Sequence, residues 1–567
     1  MRDLAYLKLL SREYPNIRAA ASDIINLQAI CGLPKGTEYF FSDLHGEHEA
    51  FIYLLRSSSG IIREKIRETF GHIISEEDEV RLANLIYYPE KMINQIKQAN
   101  EYTEDWQKTA VYRLVQICRE VSSKYTRSKV RKKMPREFSG VIDELLYVDN
   151  TDDNKTEYYS ELINTLIDVR VADSFIVVIC SLIRSLTIDN LHILGDIFDR
   201  GPRPDIILEE LMHFHDVDIQ WGNHDISWMG AATGNRACIC NVLRMALGYN
   251  GFDVLEDGYG INLRPLSMFA ERVYRDDPCT CFLPQILDKN IYDAVDPKLA
   301  AKMHKAIAVL QYKEEGQIIK RHPEYGMEER ILLSAIRYDR GTVTIDGKEY
   351  PMRDMNFPTV DPADPLRLTD EEEELLHTLE LSFRHNARLH EHVRFLYSNG
   401  SMYKCCNSNL LYHGCIPMTE NREFDGLMVG GKMYRGKELM DFIDTQVKNA
   451  YFLPEDAPEK EACRDFMWYL WNGAKSPVFG KDKNRSFEHY FIEDPEVMRE
   501  TMNPYYQLSE EEETCDMILK EFGLPTKGSH IINGHMPVKI KSGETPIRAG
   551  GKSCMAGFVL KNTLSDN

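Results

Sequence analysis

Residues 191–201 read Leu191-His192-Ile193-Leu194-Gly195-Asp196-Ile197-Phe198-Asp199-Arg200-Gly201. An apolar run suited to a buried strand stops at a glycine, and two aspartates and an arginine follow at once. Gly195 allows a tight turn off the strand, Asp196 is placed to bridge two cations, and Arg200 offers a fixed fork of donors for phosphate oxygens. A plain Asp-Arg surface pair is the alternative for this stretch alone. The same grammar recurs along the chain. Tyr39-Phe40-Phe41 precedes Asp43 and His45, Ile219-Gln220-Trp221 precedes Asn223 and His224, Leu410-Leu411-Tyr412 precedes His413, and Ile531-Ile532 precedes His535. Strands deliver side chains from distant sequence to one rim of a sheet, so these clusters predict a metal site built from strand ends. Oxygen and imidazole ligands suit divalent Mn, Fe, Zn or Co better than a thiolate-seeking ion.

Each cluster is weaker alone. Asp43 and His45 lie two residues apart and face one side of an extended chain, but Asp-x-His also occurs as a polar turn before a helix. Asn223 offers a carbonyl ligand, and His224 has an ordinary pKa near neutrality, which suits acid catalysis beside a metal. His413 and His535 each adjoin a glycine, and either by itself reads as a packed or solvated residue. Their joint occurrence in the order Asp/His, Asp/Asp, Asn/His, His, His makes the metal reading.

The composition fits a large soluble enzyme. The 567 residues correspond to roughly three or four domain-sized pieces. No apolar run long enough to span a membrane and no secretory signal is visible, so a cytoplasmic location is expected, without a membrane partner. Thirteen cysteines show no disulfide framework and read as reduced thiols. Cys238/Cys240 and Cys279/Cys281 read as buried thiols rather than zinc ligands. A formal charge of -21 argues against a nucleic-acid surface, and an anionic substrate then requires local cations.

The clusters are separated by long inserts. Core segments are expected at 1–60, 181–236 and 397–567. A helical insertion is expected at 61–180, where charged text keeps a 3.6-residue period, and a second, mainly helical one at 237–396. Leu375, Leu376, Leu379, Phe383, His390, Val393 and Leu396 predict a helix stripe from Glu371 to Tyr397 in the second insertion. One hairpin is predicted there too, with Thr342–Ile345 and Lys348–Tyr350 flanking Asp346-Gly347 in a type I′ turn.

The words "GDIFDRG", "GNHD" and "YHGCIPM", with Asp-x-His before them and Gly-His after, resemble the calcineurin-like metallophosphoesterases. "FSDLHGEHEAF", "GDIFDRGPRPD", "DIQWGNHDISWMGA", "NLLYHGCIPM", "LWNGAKSPVFGK" and "INGHMPVKIKSGETPI" together look like the class III fructose-1,6-bisphosphatases within that superfamily. The resemblance implies an α/β fold, a calcineurin-like β-sandwich core flanked by helices and carrying large, mainly helical insertions. It also implies a cytoplasmic, Mn2+-dependent enzyme of gluconeogenesis with two divalent ions per chain, Fe, Co or Zn being the alternatives. Fructose 1,6-bisphosphate would be cleaved to fructose 6-phosphate and phosphate. A protein Ser/Thr phosphatase or a dinucleoside polyphosphate hydrolase on the same scaffold is the second reading, and a non-catalytic scaffold the third. Two departures stand out. Pro537 occupies the place of a second histidine, which removes one protein ligand from the first metal, and after Lys552 the likeness thins, so a terminal strand is expected to be missing.

On this reading Asp43 and His45 hold one ion and Asn223, His413 and His535 the other, with Asp196 bridging at the roughly 3.5–4 Å usual for binuclear sites. His224 acts as general acid, oriented by Asp199, and Arg200 clamps the transferred phosphoryl group. Arg203, Lys404, Lys475 and Lys481 are candidates for the second phosphate, each equally readable as a solvated cation. The basic run Arg127 to Lys133 with Arg136 reads as a solvated helix face or as a site for a nucleotide or other anionic effector. A homo-oligomer is compatible with the sequence, which does not determine it.

Overall fold

The computed structural model describes residues 2–32, 36–147, 153–285, 295–539 and 543–555. The protein is α/β, with many helices and, among the described residues, four sheets. It packs as two units. The first comprises Met1–Tyr39 and Ile52–Asn190, the second Phe40–Phe51 and Leu191–Asn567.

The first unit is helical. Its longest pieces are Glu104–Ser122, Asp153–Asp168 and Ala172–Thr187. Ser75, Thr103 and Thr126 each start a helix by accepting a hydrogen bond from the backbone three residues on, the usual N-cap device. Ile66, Val111, Leu114, Ile117, Leu145, Phe175 and Ile179 are fully buried in one apolar core. The basic run lies on the helix Arg127–Lys133. Its four-residue spacing sends Arg127 and Arg131 to Asp143, and Lys129 and Lys133 to Asp189.

β1 (Glu38–Phe41), β2 (Asn190–Ile193), β3 (Val217–Gln220) and β7 (Gly400–Ser401) form a four-stranded sheet in that order. β2, β3 and β7 run parallel, with Ile193 opposite Ile219 and Ile219 opposite Gly400. A five-stranded sheet has the order β13 (Ile547–Arg548), β14 (Ser553–Met555), β12 (His530–Asn533), β9 (Asn409–Tyr412) and β8 (Tyr403–Cys406). β9, β12 and β14 are parallel, and β8 and β13 are antiparallel edges. Phe40, Leu194, Leu411, Ile532 and Cys554 meet in one apolar cluster, so side chains of both sheets share a core. Lys404 of β8 also reaches Asp218 of β3 at 2.6 Å, and Asp218 holds His192 Nδ1 at 2.9 Å.

In the stretch after Lys552, where the likeness thins, residues 553–555 supply a strand beside β12, and residues 556–567 lie outside the described residues. The predicted hairpin is present as β5 (Thr342–Ile345) and β6 (Lys348–Pro351), with Asp346 and Gly347 at φ 48 and 78. A third strand, β4 (Ile336–Arg337), adds to it. The single helix expected from Glu371 to Tyr397 is two, Asp370–Arg384 and Ala387–Asn399. The reason is Asn386, whose side chain accepts from Leu389 N at 2.9 Å and starts a new helix; the apolar stripe continues across the break. A second hairpin, β10 (Gly426–Val429) and β11 (Lys432–Arg435), turns at Gly430-Gly431 and was not foreseen. All thirteen cysteines are free thiols, and Cys238, Cys240, Cys279 and Cys281 join no metal-spaced cluster among the described residues. No helix among the described residues is long and apolar enough to cross a membrane.

Candidate metal centre

Every predicted strand-end cluster arrives at one place. Asp43 and His45 follow β1, Asp196 and Asp199 follow β2, Asn223 and His224 open the helix Asn223–Thr233 after β3, His413 follows β9, and His535 follows β12. Asp43, His45 and Asp196 can each offer one ligand atom within 4.8 Å of the others, and so can Asp196, His413 and His535. Asp196 belongs to both groups. It is also the residue that the sequence placed as a bridge.

The loops reach this arrangement at a conformational cost. Asp43, His45, Asp196 and His535 all have positive φ, at 54, 49, 55 and 67, a region disfavoured for residues with a Cβ by about 1–3 kcal/mol. Backbone bonds hold the strained loops together: Asp43 N to Gly195 O at 3.0 Å, His45 N to Asp196 O at 2.8 Å and Gly201 N to His45 O at 2.7 Å. The close approach demands glycine at two further points. A Cβ on Gly222 would lie 2.2 Å from Asp196 Oδ1, and one on Gly534 would lie 1.7 Å from Ser42 Oγ.

Hydrogen bonds then decide which imidazole nitrogens face inward. His413 Nδ1 lies 2.6 Å from the Leu194 carbonyl and His535 Nε2 lies 3.2 Å from the Phe479 carbonyl. A carbonyl only accepts, so both of these nitrogens donate, and His413 Nε2 and His535 Nδ1 remain to face each other at 3.0 Å. Asp196 Oδ2 sits 3.4 Å from His413 Nε2. These two nitrogens and the carboxylate share one small space that a proton or a metal cation can occupy. Asp43 Oδ1, His45 Nε2 and Asn223 Oδ1 are buried without a hydrogen-bond partner, as metal-directed atoms would be. The residues present therefore fit divalent ions.

Electrostatics follow from this packing. Burial would raise the Asp196 carboxyl, but His413, His224 and His45 outweigh it and hold it well below the ordinary range. Burial likewise opposes ionisation of Asp199, and His224, His45 and Arg200 overcome it. His413 is held above its ordinary value because Asp196 outweighs burial, while burial and the neighbouring His413 push His535 down. Burial dominates at His224 and holds it low despite Asp199 and Asp196.

Asp199 is the hub of the outer residues, with His45 Nδ1 at 3.1 Å, Arg200 Nε at 3.3 Å and His224 Nδ1 at 3.4 Å. The Trp471 ring packs edge-on against His224 at 4.9 Å, and Arg200 lies over the Tyr249 ring at 5.5 Å. The second-phosphate candidates are placed differently, each with a carboxylate partner. Arg203 is bound by Asp205 at 2.7 and 2.9 Å, Lys404 by Asp218, Lys475 by Asp425, and Lys481 by Glu500 at 2.5 Å. Among these, the charge of Lys481 is felt at His535.

Sequence reading missed Asp225. Its carboxylate accepts from Asp196 N, Ile197 N, Phe198 N and Gly222 N at 2.8–3.3 Å, tying the loop after β2 to the turn before the helix. An acid three residues into a helix after a capping position is the available signal.

The comparisons agree with this site. A family model described as Firmicute fructose-1,6-bisphosphatase matches residues 5–558. A protein named fructose-1,6-bisphosphatase class 3 from Clostridium tetani is 51% identical over 97% of this chain and 83% of its own length. Namesakes from Bacteroides fragilis strain YCH46 and Alkaliphilus metalliredigens are also 51% identical over 97% of this chain and 83% of their own lengths. No solved structure matches. With its model covering nearly the whole chain and relatives at half identity, this chain belongs to the class 3 fructose-1,6-bisphosphatase family.

Proposed function

We propose that the protein hydrolyses fructose 1,6-bisphosphate to fructose 6-phosphate and phosphate, at a binuclear centre on a calcineurin-like core formed by the two facing sheets. The observation that carries it is Asp196, which completes both ligand groups. Asp43 and His45 would hold one ion, and Asn223, His413 and His535 the other, with Asp196 shared and Mn2+ the expected metal. Divalent ions bound there would lower the pKa of water toward neutrality and neutralise phosphate charge.

The chain's own residues supply the rest. Asp199 contacts His224 Nδ1 and so orients the ring; Nε2 can hand a proton to the leaving sugar oxygen only from the imidazolium form, which burial disfavours, and in that form general acid catalysis contributes about 10²- to 10⁴-fold. Arg200, anchored through Nε to Asp199, would receive nonbridging phosphate oxygens. Lys481 is the favoured candidate for the second phosphate, with Arg203, Lys404 and Lys475 behind it, since its charge reaches His535. A cytoplasmic location is supported by the thirteen free thiols.

The test is a phosphate-release panel on Mn2+-loaded protein with fructose 1,6-bisphosphate, a phosphopeptide and a dinucleoside polyphosphate. Asp43→Asn and His224→Asn should lose at least 100-fold in kcat. Absence of turnover of the sugar by metal-loaded wild type would overturn the proposal, and preference for either alternative substrate would replace it.

A further inference from the structure

The helices Arg2–Glu13 and Ile17–Cys31 of the first unit are joined by the turn Tyr14-Pro15-Asn16. Asn16 caps the second helix through Ala19 N at 3.0 Å, and the Tyr14 hydroxyl donates to Asp23 Oδ2 at 2.6 Å, fastening the pair as a hairpin. Among their described side chains none is buried, and none enters the apolar core of the unit. Yet the hairpin is rich in large apolar residues. Leu4, Tyr6, Leu7 and Leu9 on the first helix are 57–62% exposed, and Ile17, Ile24, Ile25 and Leu27 on the second are 53–88% exposed. Helices of 12 and 15 residues are marginal in water unless packing covers an apolar face.

We propose that a second copy of this chain covers the hairpin, the two hairpins packing on each other across a twofold axis as a four-helix bundle. Area is the first argument for this occupant. The eight side chains together expose on the order of 1,000 Å², against the roughly 800 Å² that each partner contributes to a stable interface and the few hundred Å² of a typical monomer's largest apolar patch. A twofold interface needs only one such surface, because the same patch meets itself.

Direction and charge agree. At 3.6 residues per turn the exposed apolar side chains spread over roughly 220° of the first helix and roughly 160° of the second, wider than the stripe of about 100° that one flat surface covers. In a bundle each helix packs against two neighbours, which suits that spread. Residues 2–31 carry four cations (Arg2, Lys8, Arg12, Arg18) and three anions (Asp3, Glu13, Asp23), in a chain of formal charge -21. Two such chains repel, and a nearly neutral segment is where they approach against least repulsion. An anionic membrane would gain little from so balanced a segment and would repel the rest of the chain. The proposal is independent of the proposed reaction.

Sedimentation of the full chain over a micromolar concentration series tests it. Wild type should sediment as a dimer that dissociates on dilution. The double variant Leu7→Glu, Ile24→Glu sets like charges on the facing patches and should raise the dimer Kd at least about 100-fold. Ile73→Glu, at an 85% exposed apolar residue elsewhere in the same unit, should leave Kd unchanged. Near-ultraviolet circular dichroism should match wild type in every variant, since the fully buried Trp221 and Trp468 lie in the second unit, and so separates loss of the dimer from loss of the fold. If the glutamates disturb that signal, Leu7→Gln with Ile24→Gln takes their place, with an expected rise in Kd of about 10-fold or more. A monomer at every concentration overturns the proposal and leaves the hairpin to other residues of its own chain. A dimer that the hairpin variants leave intact, or that Ile73→Glu weakens equally, overturns it too. So does flotation of monomeric wild type with phosphatidylglycerol vesicles, abolished by the glutamates, which would assign the surface to a membrane.

Discussion

Asp225 shows how a residue that need touch neither metal nor substrate can set the geometry of both. Four backbone N–H groups from two loops converge on its carboxylate, and burial, with the nearby Asp196, pushes it up to about 6. An Asp225→Asn side chain keeps the shape but turns an NH2 toward N–H donors, so one loop must move. Asp196 N is among the affected groups, so the shared ligand moves with it. Supporting residues of this kind are worth about 10- to 100-fold in metal affinity. Asp225→Asn should therefore need about 10- to 100-fold more Mn2+ for half-maximal phosphate release, with kcat at saturating metal close to wild type. A metal titration of activity checks this. A merely structural role would lower Tm and leave the titration midpoint in place. His413 and His535 make the complementary point: their carbonyl contacts select the tautomers, and no reading of "YHGCIPM" or "INGHMPVK" reveals that Leu194 and Phe479 provide them.

At the scale of the element, the helix Arg127–Lys133 turns a run of like charges into two ion-pair clusters, because residues four apart share a face. Asp143 takes two of the cations. Arg131, with Arg127, outweighs burial and lowers Asp143 from 3.8 to about 2. The folded pKa is depressed, so this contribution to stability is present above pH 3.8 and is lost as pH falls through about 2. In Asp143→Asn protein, unfolding in urea should depend less steeply on pH across that window, with lower stability than wild type above it. Parallel slopes for the two proteins would show that the pair does not contribute. Local pattern predicted this helix and the hairpin at Asp346-Gly347, since both are written in adjacent residues. It failed where a side chain interrupts a surviving pattern: the apolar stripe runs through Asn386, yet the cap there divides the helix. It also missed the hairpin at Gly430-Gly431, where "GLMVGGKMYR" offers short strands with little alternation.

For the whole molecule, the clusters of the metal centre were legible because each is compact: a few apolar residues, a turn and the functional side chain. Their partners were not. Asp218 lies 186 residues from Lys404, and Asp425 lies 50 from Lys475, so the spending of those cations on carboxylates is a property of the tertiary fold. The outcome is an acidic protein, with formal charge -21, whose second-phosphate candidates are internally paired and whose proposed substrate is a bisphosphate. Long-range repulsion should then oppose association. The Debye length is about 30 Å at 0.01 M salt and about 10 Å at 0.1 M, so added salt screens the whole-protein field well before it weakens contacts inside the site. With Mn2+ kept saturating, kcat/KM for fructose 1,6-bisphosphate should rise as inert salt is added across that range, while kcat stays level. A fall would mean that the local field of Arg200 and Lys481 steers the substrate against the net charge. Repeating the series with Lys481→Gln separates the two, because loss of a steering cation would flatten a falling profile and leave a rising one rising.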